Sequence, residues 1–179
     1  MNKSIRVAFC GILTALCTIL MFLTGLISIG TYALPALSGI LLVAVVIELG
    51  TAWAWPVYIA VSVLSLILAA DKEAAVLYIL FFGYYPIIKA LLEKTGKKYW
   101  VLILKFIIFN VSMIACYFLS IKVLGVPAES FTFRGIYLPW VFLLVGNIAF
   151  IVYDYAVSAI VVTYYQRVHP AVNRLFRLK

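Results

Sequence analysis

Charge is scarce in this chain: of 179 residues only 11% are Asp, Glu, Lys or Arg, while 67% are hydrophobic and mean hydropathy is +1.19. A soluble domain carries about a quarter charged residues, and a chain of this size cannot hide so much apolar surface inside itself. A water-soluble globule is excluded, and lipid is the solvent that remains. At about 20 apolar residues per crossing, the length leaves little for any domain outside the bilayer. That excludes most enzymes that keep their chemistry on such a domain.

Histidine occurs once, at His169, which rules out HExxH and multi-histidine metal sites. Beside Pro170, it reads as a surface residue at a helix boundary. Cysteine occurs three times, at Cys10, Cys17 and Cys116, all within apolar runs and without a CxxC spacing. An odd, scattered set gives neither a disulfide framework nor a metal site, so these are expected to pack as small residues. No GxxxxGK[ST] stretch is present, and Thr95-Gly96-Lys97 lacks the first glycine and the preceding strand; the chain cannot hydrolyse ATP unaided. No GxSxG occurs, and no serine has a histidine within the membrane to activate it. The expectation is a protein that is not an enzyme, with no catalytic residue, no metal and no cofactor.

What the chain does have is apolar runs at residues 7–29, 34–49, 51–70, 74–92, 99–124 and 137–162. A cleavable signal peptide is the competing reading of the first, but the run exceeds a typical h-region, so it is taken as a retained helix. The stretch 33–70, whose only charge is Glu48, would measure about 57 Å as one helix, nearly twice a bilayer core. A hairpin broken near Gly50 is the alternative, and the cations decide between them. With six spans and a cytoplasmic N-terminus, Lys3, Arg6, Lys89, Lys94, Lys97, Lys98, Lys105, Arg167, Arg174, Arg177 and Lys179 all fall inside. Only Lys72, Lys122 and Arg134 fall outside. Five spans would export most cations, against the positive-inside rule. The predicted fold is an all-α integral membrane bundle of six transmembrane helices, both termini cytoplasmic, with 163–179 as a basic cytoplasmic tail. Trp53, Trp55 and Trp100 then lie at the inner interface and Trp140 at the outer one. The net charge of +8 is an orientation signal, with no nucleic-acid partner implied.

Polar groups inside the spans are costly, roughly 2.5 to 3.5 kcal/mol for a central charge. Glu48, Lys105 and Asp154 are expected toward the cytoplasmic side as a buried charge pair, Lys105 with Glu48 or with Asp154; a proton relay is the alternative. Asn110 and Asn147 fall near the midplane, where two amides either bond each other or contact a ligand. Gly83-Tyr84-Tyr85-Pro86 interrupts the fourth span, since Pro86 frees a carbonyl one turn earlier. The outer connections carry mixed charge and aromatics: Tyr32 in the first, Asp71, Lys72 and Glu73 in the second, and Glu129, Phe131, Phe133 and Arg134 in the longest, 125–136. These are either ordinary solvated turns or a lid over an outward pocket, with rings to stack on a solute and Arg134 or Glu129 to fix a polar end. In the first span Ala8, Gly11 and Ala15 form a small-residue face that a second helix can approach closely, in the bundle or outside it.

Six spans, cytoplasmic ends, the Gly11-xxx-Ala15 face, the hairpin near Gly50, the long outer connection and Gly146-Asn147 in the last span together make the chain resemble the substrate-binding S components of energy-coupling factor (ECF) transporters. The resemblance covers nearly the whole chain, through architecture more than diagnostic residues; the docking motif here reads Gly-xxx-Ala in place of Ala-xxx-Ala. It implies a bacterial plasma-membrane protein that captures a vitamin-like, partly aromatic micronutrient from outside. Its partners would be a transmembrane coupling subunit, docked on Ala8, Gly11 and Ala15, and two ATPase subunits. The substrate candidates it leaves are Tyr32, Asp71, Lys72, Tyr78, Asn110, Glu129, Phe131, Phe133, Arg134 and Asn147. Two other readings stand beside it. One is a non-transporting scaffold of the rod-morphogenesis type, in which 170–179 (PAVNRLFRLK) forms an interfacial helix. The other is an autonomous ion-coupled carrier in which Glu48 or Asp154 titrates, although no inverted repeat favours it.

Overall fold

A backbone surrounded by lipid must satisfy its own N–H and C=O groups, so long apolar runs fold as helices. The computed structural model describes residues 3–27, 30–125, 132–133, 136–137 and 139–177, and its long elements are helical: α1 (Lys3–Leu23), α2 (Gly30–Leu49), α3 (Thr51–Leu68), α4 (Lys72–Leu77), α5 (Tyr85–Glu93), α6 (Lys98–Lys122), α7 (Pro139–Thr163) and α8 (His169–Arg177). Six segments are long and apolar enough to cross a membrane, with α4 and α5 forming one of them and α7 running on into α8 as another. The hairpin near Gly50 is present. Gly50 takes φ +86°, a left-handed value that favours glycine, and α3 restarts one residue later.

Two connections mark the ends of the bundle. At one, Gly25 lies against Ala70, and the Thr31 hydroxyl donates to Asp71 Oδ2 at 2.6 Å. At the other sit Gly50 and the turn at 94–97, where Gly96 also has positive φ. We call these the Ala70 end and the Gly50 end. Between them Leu13, Cys17 and Met21 of α1, Leu42 and Val45 of α2, Ala54, Val57 and Val61 of α3, Ala74 of α4, Tyr78 just after α4 and Ile87 of α5 form one buried core. A second cluster, Phe81, Tyr85, Phe109 and Phe150, joins the α4–α5 segment to α6 and α7, with Phe109 and Phe150 stacked at 4.7 Å.

The interruption expected near Pro86 takes a specific form. Tyr78–Phe82 is a π-helical turn closed by Gly83 N–H on Tyr78 O at 2.8 Å, and α5 follows. Proline cannot bond the carbonyl four residues back. That carbonyl, Phe82 O, is accommodated by Gly39 of α2, where an added Cβ would overlap it and lie 3.0 Å from both Phe82 C and the Tyr153 hydroxyl. Gly39→Ala is therefore expected to push α2 away from the kinked segment at a cost of about 1–3 kcal/mol. A thermal unfolding midpoint equal to that of the parent protein would refute this close approach.

The helix of the last span does not stop where its apolar run does: it continues past residue 162 through a π-helical turn at Tyr164–Val168 into α8. The long connection also contains a short antiparallel pair, β1 (Thr132–Phe133) with β2 (Ile136–Tyr137), where no strand was expected.

Candidate functional site

Three polar levels fasten α7 and α8 to a bundle against which they otherwise bury little surface. In the first half of α7, Asn147 Nδ2 donates to Asn110 Oδ1 and Asn110 Nδ2 donates to Asn147 Oδ1, both at 3.0 Å. Each amide also donates to a carbonyl one turn earlier, Leu143 O and Phe106 O, at 2.8 Å. The two amides thus satisfy each other across the α6–α7 interface. Asn147→Ala is expected to lower stability by about 1 kcal/mol, within the range of such bonds in membranes. A double-mutant cycle with Asn110→Ala should show the two losses to be strongly non-additive, and simple additivity would contradict the pairing.

Two turns farther toward the Gly50 end lies a charge cluster. Asp154 accepts from Lys89 Nζ, from Lys105 Nζ at 3.1 Å and from the Tyr85 hydroxyl at 2.6 Å. Lys89 also donates to Ser158 Oγ at 2.8 Å and pairs with Glu93 at 3.2 Å, while Lys105 reaches Glu93 at 2.7 Å. Lys89 and Lys105 are buried, at 3% and 6% exposure. Two cations and two carboxylates thus neutralise one another, which is how ionised groups persist at membrane depth. The expected pairing of Lys105 with Asp154 is present. Glu48 does not join it: its Oε1 lies 3.0 Å from His169 Nδ1, because the continuous terminal helix carries His169 back to the α2–α3 elbow. His169 remains one-third exposed, so it is a surface residue that also contacts Glu48.

Sequence reasoning missed Lys89, Glu93 and Tyr85. Lys89 was counted among the cations that report orientation, yet it lies three residues before the end of its apolar run, about one turn inside the boundary. That depth was the available signal.

At the Ala70 end, Asp71 caps α4 by accepting from Glu73 N–H and Ala74 N–H, at 3.0 and 3.1 Å. Lys72 donates to the last carbonyls of α3, Leu66 O and Ala69 O, both at 2.8 Å. Tyr32 is 66% exposed, and Tyr78 is fully buried. The hydroxyls of Tyr78, Tyr153, Ser62 and Ser65 are buried without a hydrogen-bond partner among the described residues. Glu129, Phe131 and Arg134 lie outside the described residues, and Phe133 is placed only as part of β1. On α1, Ala8, Gly11 and Ala15 are all exposed, and nothing lies within 4 Å of where a Gly11 Cβ would stand. The small-residue face therefore points out of the bundle.

A cavity of about 240 Å³ opens at the Gly50 end, between α2, α5 and α7. Its walls include Val43, Val46, Pro86, Val157 and Val161, and its polar lining is Thr51, Lys89, Glu93, Lys94 and Tyr165. None of the substrate candidates lines it. Among the described residues, no three His, Cys, Asp or Glu side chains come together to hold a metal.

The chain matches no family model, no curated protein and no solved structure.

Proposed function

We propose that the protein is a membrane-embedded solute-binding subunit for uptake of a small vitamin-like micronutrient, energised by a separate transmembrane coupling subunit and two ATPases. The observation that carries the reading is the outward face of α1. Ala8, Gly11 and Ala15 are exposed on a helix whose other side packs the core, so the smooth face is open to a second membrane protein, and small residues let helix backbones approach closely. The absence from the sequence of a phosphate-binding loop suits a division of labour in which ATP is hydrolysed elsewhere. In this reading both termini and the Gly50 end face the cytoplasm of a bacterial cell, and the Ala70 end faces outward. Tyr32, exposed at the Ala70 end, then borders the solute. Asn110 and Asn147 would support that site from below by fixing α6 to α7.

The test is to purify the protein in mild detergent, identify co-purifying small molecules by mass spectrometry, and screen vitamins for thermal stabilisation. A defined solute bound one to one, together with ATPase subunits in pull-downs, would support the proposal. A consistently empty protein stabilised by no vitamin would count against it, and recovery of a wall-synthesis complex would favour a cell-shape scaffold instead.

A further inference from the structure

We infer that the cavity at the Gly50 end is a binding site for one anionic phospholipid, with its phosphodiester at Lys94 and Thr51 and an acyl chain between α2, α5 and α7. The walls set the first half of this assignment. Val43, Val46, Ile47, Pro86, Val157 and Val161 line the cavity with apolar side chains. From Gly50 back to Val43 the helix rises about 10 Å, so the apolar part runs well below the helix ends. A freely diffusing anion gains nothing from such walls, whereas a lipid chain does.

The rim sets the second half. Lys89 and Glu93 also line the cavity, but their charges are already used: Lys89 on Asp154, Ser158 and Glu93, and the Glu93 carboxylate on Lys89 and Lys105. Lys89, Lys105, Asp154 and Glu93 cancel as a group. Lys94 is the lining charge left over, exposed and making no ion pair or hydrogen bond with another described residue through its side chain; the Thr51 hydroxyl beside the cavity is likewise unengaged. A cation and a hydroxyl above an apolar slot suit a phosphodiester on a hydrocarbon tail. The level is right for a headgroup, because Lys94 and Thr51 stand at helix ends while the Tyr99 and Trp100 rings are exposed at the start of α6, as interfacial aromatics are. The inference does not depend on the solute-uptake reading.

Native mass spectrometry of the detergent-purified chain, titrated with phosphatidylglycerol or phosphatidylcholine, tests it. The expected result is one phosphatidylglycerol retained about tenfold better than phosphatidylcholine, whose phosphodiester is the same but whose choline ammonium brings a second cation beside Lys94, a repulsion worth roughly that factor. Lys94→Gln, on an exposed side chain that the fold does not use, should remove the preference. Val161→Trp, which fills the slot, should remove retention of both lipids. Inorganic phosphate and glycerol phosphate at millimolar concentration should not compete. Equal retention of the two lipids by the parent protein, indifference to Lys94→Gln, or competition by free phosphate would each overturn the proposal, the last in favour of a simple anion site. If Val161→Trp leaves lipid retention intact but abolishes recovery of partner subunits, the cavity is a protein socket and the lipid assignment is wrong.

Discussion

Asp154→Leu is expected to lower the thermal unfolding midpoint of the purified protein by roughly 10 °C, corresponding to about 3–5 kcal/mol. The reason is what it leaves behind. Asp154 stands between Lys89 and Lys105 and accepts from both, and from Tyr85. Lys89 is almost fully buried, and its other acidic partner, Glu93, is 48% exposed and already shared with Lys105. Without Asp154 two ammonium groups face each other beside an apolar wall with one half-solvated carboxylate between them. An uncompensated buried charge is far more costly than a missing ion pair, because the pair's own formation barely exceeds its desolvation. Hence the control: Asp154→Leu combined with Lys89→Met should recover much of the loss, since Lys105 keeps Glu93 and the new pair is hydrocarbon. If the double variant unfolds no later than the single one, the loss comes from altered packing of α7, and the electrostatic account fails.

How far this cluster could be read from sequence shows where such reading stops. Hydropathy and cation placement suffice for the number of crossings because both follow from the solvent alone. The Asn110–Asn147 pair was reachable too, because two amides at one depth in adjacent spans have few other partners. Lys89 was not, since a lysine near the end of an apolar run has two outcomes, snorkelling or burial, and a partner contributed by α7 decides between them. The length of the terminal helix was not legible for a related reason: hydropathy marks where a chain leaves lipid, not where its helix ends. Pro170 stood in the sequence as a helix boundary. Instead His169 N–H bonds Tyr164 O across a π-helical turn immediately before the proline, as Gly83 N–H bonds Tyr78 O shortly before Pro86. In both places the widened turn precedes the residue that cannot bond its i−4 carbonyl. Continuity through the second of these turns carries His169 to Glu48.

On the uptake proposal, Gly11→Leu should leave the fold and solute binding unchanged while reducing ATP-driven uptake to background. Among the described residues, no side chain and no backbone of another element lies within 4 Å of the new Cβ, and Ala8 and Ala15 flank it on the same exposed face. Leucine also favours helix over glycine by about 1 kcal/mol, so the unfolding midpoint should hold or rise. Lipid accepts the added isobutyl group without penalty, whereas a helix packed backbone to backbone on this face does not. The variant therefore separates a lipid-facing surface from a docking surface with little risk of confusion by misfolding. Uptake is to be measured in cells expressing the chain with its energising subunits, using the solute identified by co-purification, alongside pull-down of those subunits. Loss of both uptake and co-purification, with binding intact, assigns the α1 face to the partner. Full uptake at normal expression would mean that the face meets only lipid, and the proposal of docking through Ala8, Gly11 and Ala15 would fall.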